Sequence, residues 1–317
     1  MTINEILDML KGIVYLTGVY NFQWNIVIMW AVGCLFMWLA IAKKYEPLLL
    51  LPIGFGIFIV NFPLVPLMGW TDEGHGQLLR VFYHYGLEWE IIPCIIFLGL
   101  GAMTDFGPLI ANPKTLLVGA GAQLGVFITF TGTVLAGFTL KEAASVSIIG
   151  GADGPTAIFI ASKLAPHLLG AIAIAAYSYM GLVPIIQPPI MRLLTNRKER
   201  LIRMKPPRAV SQREKILFPI IGFIVTGFIS PGSLPLLGML FFGNVLKESG
   251  VTKRLMETAR NPLIDTVTIL LGVTVGASTQ ATTFLTPQSV LIFVLGAASF
   301  AVATACGVLF AKFMNLF

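Results

Sequence analysis

Residues 143–162 read AASVSIIGGADGPTAIFIAS, and Asp153 is the one charged group between Glu142 and Lys163. The stretch is long enough to enter a bilayer. An acid at membrane depth costs about 2.5–3.5 kcal/mol on insertion scales, so it marks a functional site by default. Gly150, Gly151, Gly154 and Pro155 unwind a helix at the same point. Irregular backbone is tolerated at that depth only where it is buried in protein or lines a watery cavity. The acid and the break together read as an ion site. The competing reading is a structural acid hydrogen-bonded to backbone at a helix break.

Other polar side chains in apolar surroundings are weaker candidates. Tyr177 and Tyr179 sit in a helix of small residues, where a tyrosine is usually a packed ring with its hydroxyl satisfied. Ser145, Ser147, Thr156 and Gln187 offer oxygens to the site or serve as helix–helix glue. Asp105 and Asp265 lie near span ends and read as helix-end residues, and Asn244 as a helix-end cap or a site residue. His75 and His84 with Asp72 and Glu73 fit no closed zinc spacing and read as part of a solvated loop. Cys34, Cys94 and Cys306 lie far apart in apolar segments and are expected as buried free thiols.

The elements that must hold these residues are membrane helices. Of 317 residues, 56% are hydrophobic and 11% charged, with a mean hydropathy of +0.85. That composition excludes disorder and argues against a soluble enzyme. Long apolar runs indicate helices rather than an alternating barrel pattern. The net charge of +6 sits in loops, so nucleic-acid binding is not implied. Residues 4–20 read as a surface helix. Spans are expected at about 22–42, 47–62, 91–110, 115–138, 166–190, 216–230, 235–246, 262–280 and 287–311, with a polar outer stretch over 63–90.

Two parts of the chain resemble each other. LGLGAMTDFGPLIANPKTLLVGAGA (98–122) runs parallel to LGVTVGASTQATTFLTPQSVLIFVLGAA (271–298), and PLLLLPIGFG (47–56) to PLLGMLFFG (235–243). Such internal duplication is a transporter signature. It divides the chain into a first repeat at 1–191, a basic linker at 192–215 with nine Lys/Arg against two Glu, and a second repeat at 216–317. Placing the linker in the cytoplasm puts Lys43, Lys44 and Lys114 inside and 63–90 outside, provided that 143–162 dips in and returns. Five crossings per repeat then make the second repeat inverted. The expected architecture is an all-α polytopic membrane protein, an inverted-repeat bundle with a re-entrant broken helix. Gly150 follows the turn proline Pro113 by 37 residues, and the same spacing from Pro287 reaches 324, past Phe317. The second repeat is therefore expected to be incomplete at its C-terminal end, a shorter architecture being the alternative.

The stretches SIIGGADGPTAIFIAS (147–162), AAYSYMGLVPIIQPPI (175–190), AVSQREKILFPI (209–220), PLLGMLFFGNVLKESG (235–250) and MTDFGPLIANP (103–113) are similar to the β subunits of sodium-pumping biotin-dependent decarboxylases. That family acts on oxaloacetate, glutaconyl-CoA or methylmalonyl-CoA. The resemblance covers nearly the whole chain. It implies a prokaryotic plasma-membrane subunit that decarboxylates carboxybiotin and couples this to Na⁺ export with H⁺ uptake. The partners it implies are a carboxyltransferase/biotin-carrier α subunit and a small membrane γ/δ-type subunit, with a homo-oligomer inside the complex. Biotin would be carried by a partner, because Met204-Lys205 followed by Pro206-Pro207 is not a biotin-carrier context. The family's essential aspartate maps onto Asp153 and its functional tyrosine onto Tyr179. Asp153 is then expected to bind Na⁺ and H⁺ in turn, with the backbone of Gly150 and Gly151 and the Thr156 hydroxyl as further Na⁺ ligands. The basic linker reads as a topology determinant and lipid contact, or as a dock for the acidic biotin carrier. The rival reading is a secondary Na⁺-coupled transporter or Na⁺/H⁺ antiporter, which needs no biotin partner.

Overall fold

The computed structural model describes residues 15–315 except 16, 19, 65, 72, 73, 204 and 205. The surface helix expected at 4–20 lies largely outside the described residues, as do Asp72 and Glu73. The described residues are helical, with no strand among them beyond an isolated bridge between Trp70 and Gly76. In chain order they form α1 (Trp24–Lys43), α2 (Pro47–Val60), α3 (Leu78–Val81, continued by a π-helical turn Phe82–Glu88), α4 (Ile91–Met103), α5 (Gly107–Ala111), α6 (Thr115–Leu135), α7 (Leu140–Ser147) and α8 (Gly154–Leu164). They continue with α9 (Leu169–Leu194), α10 (Arg197–Arg200), α11 (Gln212–Ile229), α12 (Leu234–Glu248), α13 (Lys253–Thr258), α14 (Ile264–Ala277), α15 (Ala281–Phe284) and α16 (Pro287–Met314).

Among the described residues four helices, Trp24–Lys43, Thr115–Leu135, Pro166–Leu194 and Pro287–Met314, are long and apolar enough to cross a bilayer on their own. A fifth crossing results if Leu78–Glu88 and Ile91–Met103, bent by 61°, count as one broken span. The span expected at 91–110 is thus interrupted. Thr104-Asp105-Phe106 leaves the helix between α4 and α5, and Asp105 Oδ1 accepts the amide of Gly107 at 2.9 Å. That is the helix-end role read from the sequence. The stretch at 63–90 is not wholly a solvated loop, because Leu78–Glu88 is helical. Its Tyr83 and Leu87 enter the core, while His84 pairs with Glu88 at 2.5 Å. The three cysteines are free, but Cys34 is exposed and the other two are half-buried. Cys34 lies on the outward face of α1 rather than the face packed on α2.

Two crossings are built on paired glycines. A Cβ on Gly101 of α4 would lie 1.9 Å from the Leu240 carbonyl oxygen of α12, and one on Gly243 would lie 2.0 Å from that of Leu98. The α2–α14 crossing repeats the arrangement: a Cβ on Gly56 would meet the Val273 oxygen at 2.3 Å, and one on Gly276 the Ile53 oxygen at 2.2 Å. In every case the carbonyl touched lies three residues before the partner glycine. A buried asparagine then closes each crossing. Asn244 Nδ2 donates to the carbonyls of Gly101 at 3.2 Å and Thr104 at 2.9 Å. Asn61 Nδ2 donates to Ile57 at 2.8 Å and to Thr279 at 2.9 Å, and its Oδ1 accepts from the Ala281 amide at 2.8 Å. Both serve the open carbonyls at a helix C-terminus, so Asn244 is structural.

The helices sort into two packed groups. α1, α2, α4, α11, α12 and α14 form one. α6, α7, α8, α9 and α16 form the other, with α16 packed on both α6 and α9. The GGADGP break belongs to the second group.

The basic linker ends in a capping box that starts α11. Ser211 and Glu214 exchange hydrogen bonds, and Arg208 Nη2 reaches Glu214 Oε1 at 2.7 Å. The Arg208 guanidinium, then the Ser211 amide and hydroxyl, hold the Glu214 carboxyl down at about 2 against an ordinary 4.5. A depressed carboxylate contributes stability above its unfolded value and loses it as pH falls through the folded one. Hydrogen exchange at residues 211–215 should therefore stay protected from pH 4.5 down towards about 2. In Arg208→Met that protection should be lost nearer the ordinary carboxylate range. Identical profiles in the two proteins would refute the assignment.

Candidate functional site

The site is made by a helix that stops and restarts. α7 begins with a capping box between Thr139 and Glu142. It ends in a single 3₁₀ turn, Ile148–Gly151. Ala152 then takes a left-handed conformation, with φ 55°. Asp153 follows in extended geometry as the N-cap of α8, with Pro155 in the first turn. The left-handed residue reverses the chain, so α7 and α8 pack against one another and both open their ends at residues 148–153. The carbonyl end of α7 carries partial negative charge and the amide end of α8 partial positive charge. Asp153 occupies the positive end. A cation beside it meets the negative end.

Asp153 Oδ1 accepts the Thr156 amide at 3.2 Å, and the Thr156 hydroxyl donates to Oδ2. The structure thus brings these two sequence candidates together. Each oxygen keeps lone-pair capacity for a cation. Ser145 and Ser147 instead give their protons to their own helix, to the carbonyls of Lys141 at 3.0 Å and Ala144 at 2.8 Å.

Tyr179 bridges to α16: its hydroxyl donates to the Phe293 carbonyl, and its ring lies where a Cβ on Gly296 would come within 2.7 Å. Ile149 of the 3₁₀ turn meets the same glycine. Tyr179 is therefore linked to the break through α16 packing.

Tyr177 corrects the sequence reading. Its ring is fully buried as expected, but its hydroxyl has no partner among the described residues. The ring lies on the first residue of α8, where a Cβ on Gly154 would meet Tyr177 Cε1 at 2.4 Å and Cζ at 2.5 Å. A second orphan hydroxyl faces the other side of the break. Ser299 of α16 is 1% exposed, its Oγ has no partner among the described residues, and a Cβ on Gly150 would lie 2.0 Å from it. Sequence reasoning missed Ser299, because ASFAVATA gives no signal beyond small residues at helical spacing.

Gly151 faces a third feature, a hollow of about 130 Å³ lined by Gln123, Gln187 and Thr304, by residues 150–152, and by the apolar Ala122, Phe300 and Ala303. Gln187 was a sequence candidate and Gln123 was not.

An unpaired buried hydroxyl costs about 1–3 kcal/mol. Tyr177→Phe keeps the ring and removes that cost, so in Na⁺-free detergent the variant should melt higher than the parent. A lower midpoint would show that the hydroxyl is already engaged.

The profile of the Na⁺-transporting oxaloacetate decarboxylase β subunit family matches residues 25–317. The methylmalonyl-CoA decarboxylase β subunit of Propionigenium modestum is 52% identical over 94% of this chain and 80% of its own length. The glutaconyl-CoA decarboxylase β subunit of Acidaminococcus fermentans is 51% identical over 96% of this chain and 80% of its own. The oxaloacetate decarboxylase β chain of Klebsiella pneumoniae is 46% identical over 98% and 85%. The three relatives are named for different substrates, yet each aligns over nearly the whole of this chain. The chain belongs to the family of Na⁺-transporting decarboxylase β subunits.

Proposed function

We propose that this chain is the membrane subunit of a decarboxylation-driven Na⁺ pump, and that Asp153 is the residue at which Na⁺ and H⁺ exchange. Carboxybiotin delivered by a partner subunit supplies the free energy and consumes a proton when it loses CO₂. The observation that carries the reading is the placement of Asp153: a half-buried carboxylate at the amide end of α8, opposite the open carbonyl end of α7. Asp153 holds either Na⁺ or H⁺, Gly150 and Gly151 offer carbonyl oxygens, and Thr156 orients the carboxylate through its amide and hydroxyl. Tyr179 fixes α9 to α16 beside the break, from which its hydroxyl reaches the site when that hydrogen bond opens.

The two glycine crossings support an inverted repeat, because α2–α14 and α12–α4 use the same glycine-to-carbonyl spacing and each is closed by an asparagine. Such crossings fit repeats at 1–191 and 216–317 joined by the basic linker. With that linker in the cytoplasm, the α7–α8 hairpin is re-entrant from outside. We assign the chain to a prokaryotic plasma membrane, in a complex with a biotin-carrying carboxyltransferase α subunit and a small membrane subunit, and in more than one copy.

Reconstitution decides between the pump and a gradient-driven carrier. The complete complex in proteoliposomes should move Na⁺ only when the biotin-carrying partner and its acyl substrate are supplied. Na⁺ flux driven by an imposed pH gradient, with no partner present, would overturn the pump.

A further inference from the structure

Two buried hydroxyls away from the break also lack partners among the described residues, those of Ser178 on α9 and Thr274 on α14. Folding gains nothing from an unpaired buried hydroxyl, and valine or alanine would fill either place without that penalty. Both lie where α9 of the second helix group packs on α14 of the first.

Their placement follows from the contacts around them. A Cβ on Gly170, at the start of α9, would meet Ser278 Oγ, just past the end of α14, at 2.7 Å. Near the other end of α9, one on Gly181 would meet Leu50 Cδ1 of α2 at 2.8 Å, and Pro52 of α2 packs on Gly272 of α14. α9 therefore runs antiparallel to α14. Gly272 and Gly276 face α2, so Thr274, two residues from each, points away from α2, on the face of Ser278. Ser178 shares a face with Gly170, Ile174 and Gly181 at helical spacing. Along the seam Thr274 stands about 6 Å in from Ser278, and Ser178 about 12 Å in from Gly170, at 1.5 Å per residue. The two hydroxyls are thus about 6 Å apart in depth, a gap that one water bridges with two hydrogen bonds of about 2.8 Å each. Next to Ser178 is Tyr177, whose ring lies on Gly154, the residue after Asp153.

The seam is open at one end. Gly170 and Ser278 line a hollow of about 390 Å³, with Arg80, Glu88, His167 and Gln288 also in its wall. It has room for roughly ten waters at about 30 Å³ each. It lies at the end of α9 opposite Leu194, which adjoins the basic linker, so it is the outer end when that linker is cytoplasmic.

We propose that this seam is the route by which protons reach Asp153 from outside, passing from the outer hollow by way of Thr274, Ser178 and Tyr177. The proposal rests on the reading of Asp153 as the residue that exchanges Na⁺ for H⁺. A hydroxyl both donates a proton and accepts one on its lone pairs. When the seam parts and takes up water, each oxygen in the file gains a proton from the outer side and gives up its own inward. The last O–H bond forms on the Asp153 carboxylate and Na⁺ leaves it, so one charge replaces another and no hydroxyl is consumed. A single neutral oxygen at each level cannot replace the hydration shell of Na⁺, so the file passes protons and rejects the exported ion. In the closed seam the hydroxyls are dry and unpaired, which prevents protons leaking inward between cycles.

The test uses the complete complex in proteoliposomes, with turnover measured against Na⁺ in H₂O and in D₂O. Thr274→Val keeps the shape of the side chain and removes an unpaired hydroxyl, so it should assemble and melt no lower than the parent. Its turnover at saturating Na⁺ should fall roughly a hundredfold, the lower end of what a positioned proton carrier contributes. Half-saturating Na⁺ should stay where it was, and the solvent isotope effect should rise because proton delivery has become limiting. Ser178→Ala should act in the same direction. Thr274→Ser restores a hydroxyl and should restore turnover, and Thr266→Val, exposed on the same helix, should change nothing. Parental turnover with an unchanged isotope effect in Thr274→Val and Ser178→Ala would overturn the route. Normal Na⁺-dependent turnover in Asp153→Asn would overturn the underlying reading instead, whatever the hydroxyl variants do.

Discussion

Asp153→Asn, assembled into the complete complex, should lose Na⁺-dependent turnover by roughly a thousandfold while folding as well as the parent. The two halves of that expectation come from different properties of one side chain. As an N-cap, asparagine is as good as aspartate, and its amide oxygen can still accept the Thr156 amide that Asp153 accepts at 3.2 Å. The start of α8 is therefore preserved. As an ion ligand it has lost its charge. A unit charge about 4 Å from a monovalent cation contributes roughly 4 kcal/mol at an effective dielectric of about 20, and about 1.4 kcal/mol is a factor of ten. Asp153→Ala should add a loss of about 1 kcal/mol in stability, because the cap goes as well. Turnover against Na⁺ concentration and a thermal melt, on the same preparations, separate the two roles. If Asp153→Asn turned over normally with Na⁺, the carboxylate would be a cap and nothing more.

The largest effect on folding is expected away from the site, at the α4–α12 crossing. Gly101→Ala places a methyl 1.9 Å from the Leu240 carbonyl oxygen, and Gly243→Ala places one 2.0 Å from that of Leu98. Both obstacles are backbone, so no side chain can rotate away and the helices must part. Overpacking a core typically costs about 1–3 kcal/mol and occasionally more. Separation would also stretch the hydrogen bonds by which Asn244 closes α4. Each variant should lower the thermal midpoint and the yield of assembled subunit, and the double variant should cost less than the sum, since one separation relieves both clashes. Gly119→Ala and Gly132→Ala, with nothing within 4 Å, are the controls. Each should be neutral or stabilising by about 0.4–1 kcal/mol. Equal melts for Gly101→Ala and Gly119→Ala would show that the crossing is looser than described.

Much of this was legible in the chain because charge and proline have few uses inside a membrane. Asp153, the GGADGP break and the helices at 24–43, 115–135, 166–194 and 287–314 follow from where apolar runs are long and where they are interrupted. The weak repeat between 47–56 and 235–243 pointed at Gly56 and Gly243, which the structure places at crossings of like geometry. Three things were not legible. The interruption at Thr104-Asp105-Phe106 has no strong breaker before Gly107, and an apolar window reads straight through it. The helical Leu78–Glu88 hides behind its polar neighbours, although Tyr83 and Leu87 share one face. Ser299 and Gln123 are ordinary residues in apolar helices, and only the packing of α16 and α6 against the break gives them a role. Tyr177 shows the same limit from the other side. A tyrosine in a helix of alanines is normally satisfied, and nothing in the sequence says that this one is not.

The division of the helices into two packed groups bears on how the site moves. Between the groups, α4 lies on α8, and α9 lies on α2 and α14. The buried part of α9 mixes small and large residues, Ala171, Ile172, Ala173, Ile174, Ala175 and Ala176, with Gly170 against Ser278 and Gly181 against Leu50. By contrast, the glycine crossings inside the first group clamp backbone on backbone. The crossings of the first group are the stiffest contacts, so a large displacement that leaves them intact carries α6, α7, α8, α9 and α16 together. Asp153 would travel as a passenger, with its cap, its orphan hydroxyls and its glutamine-lined hollow unchanged, while the surface that closes over them is exchanged.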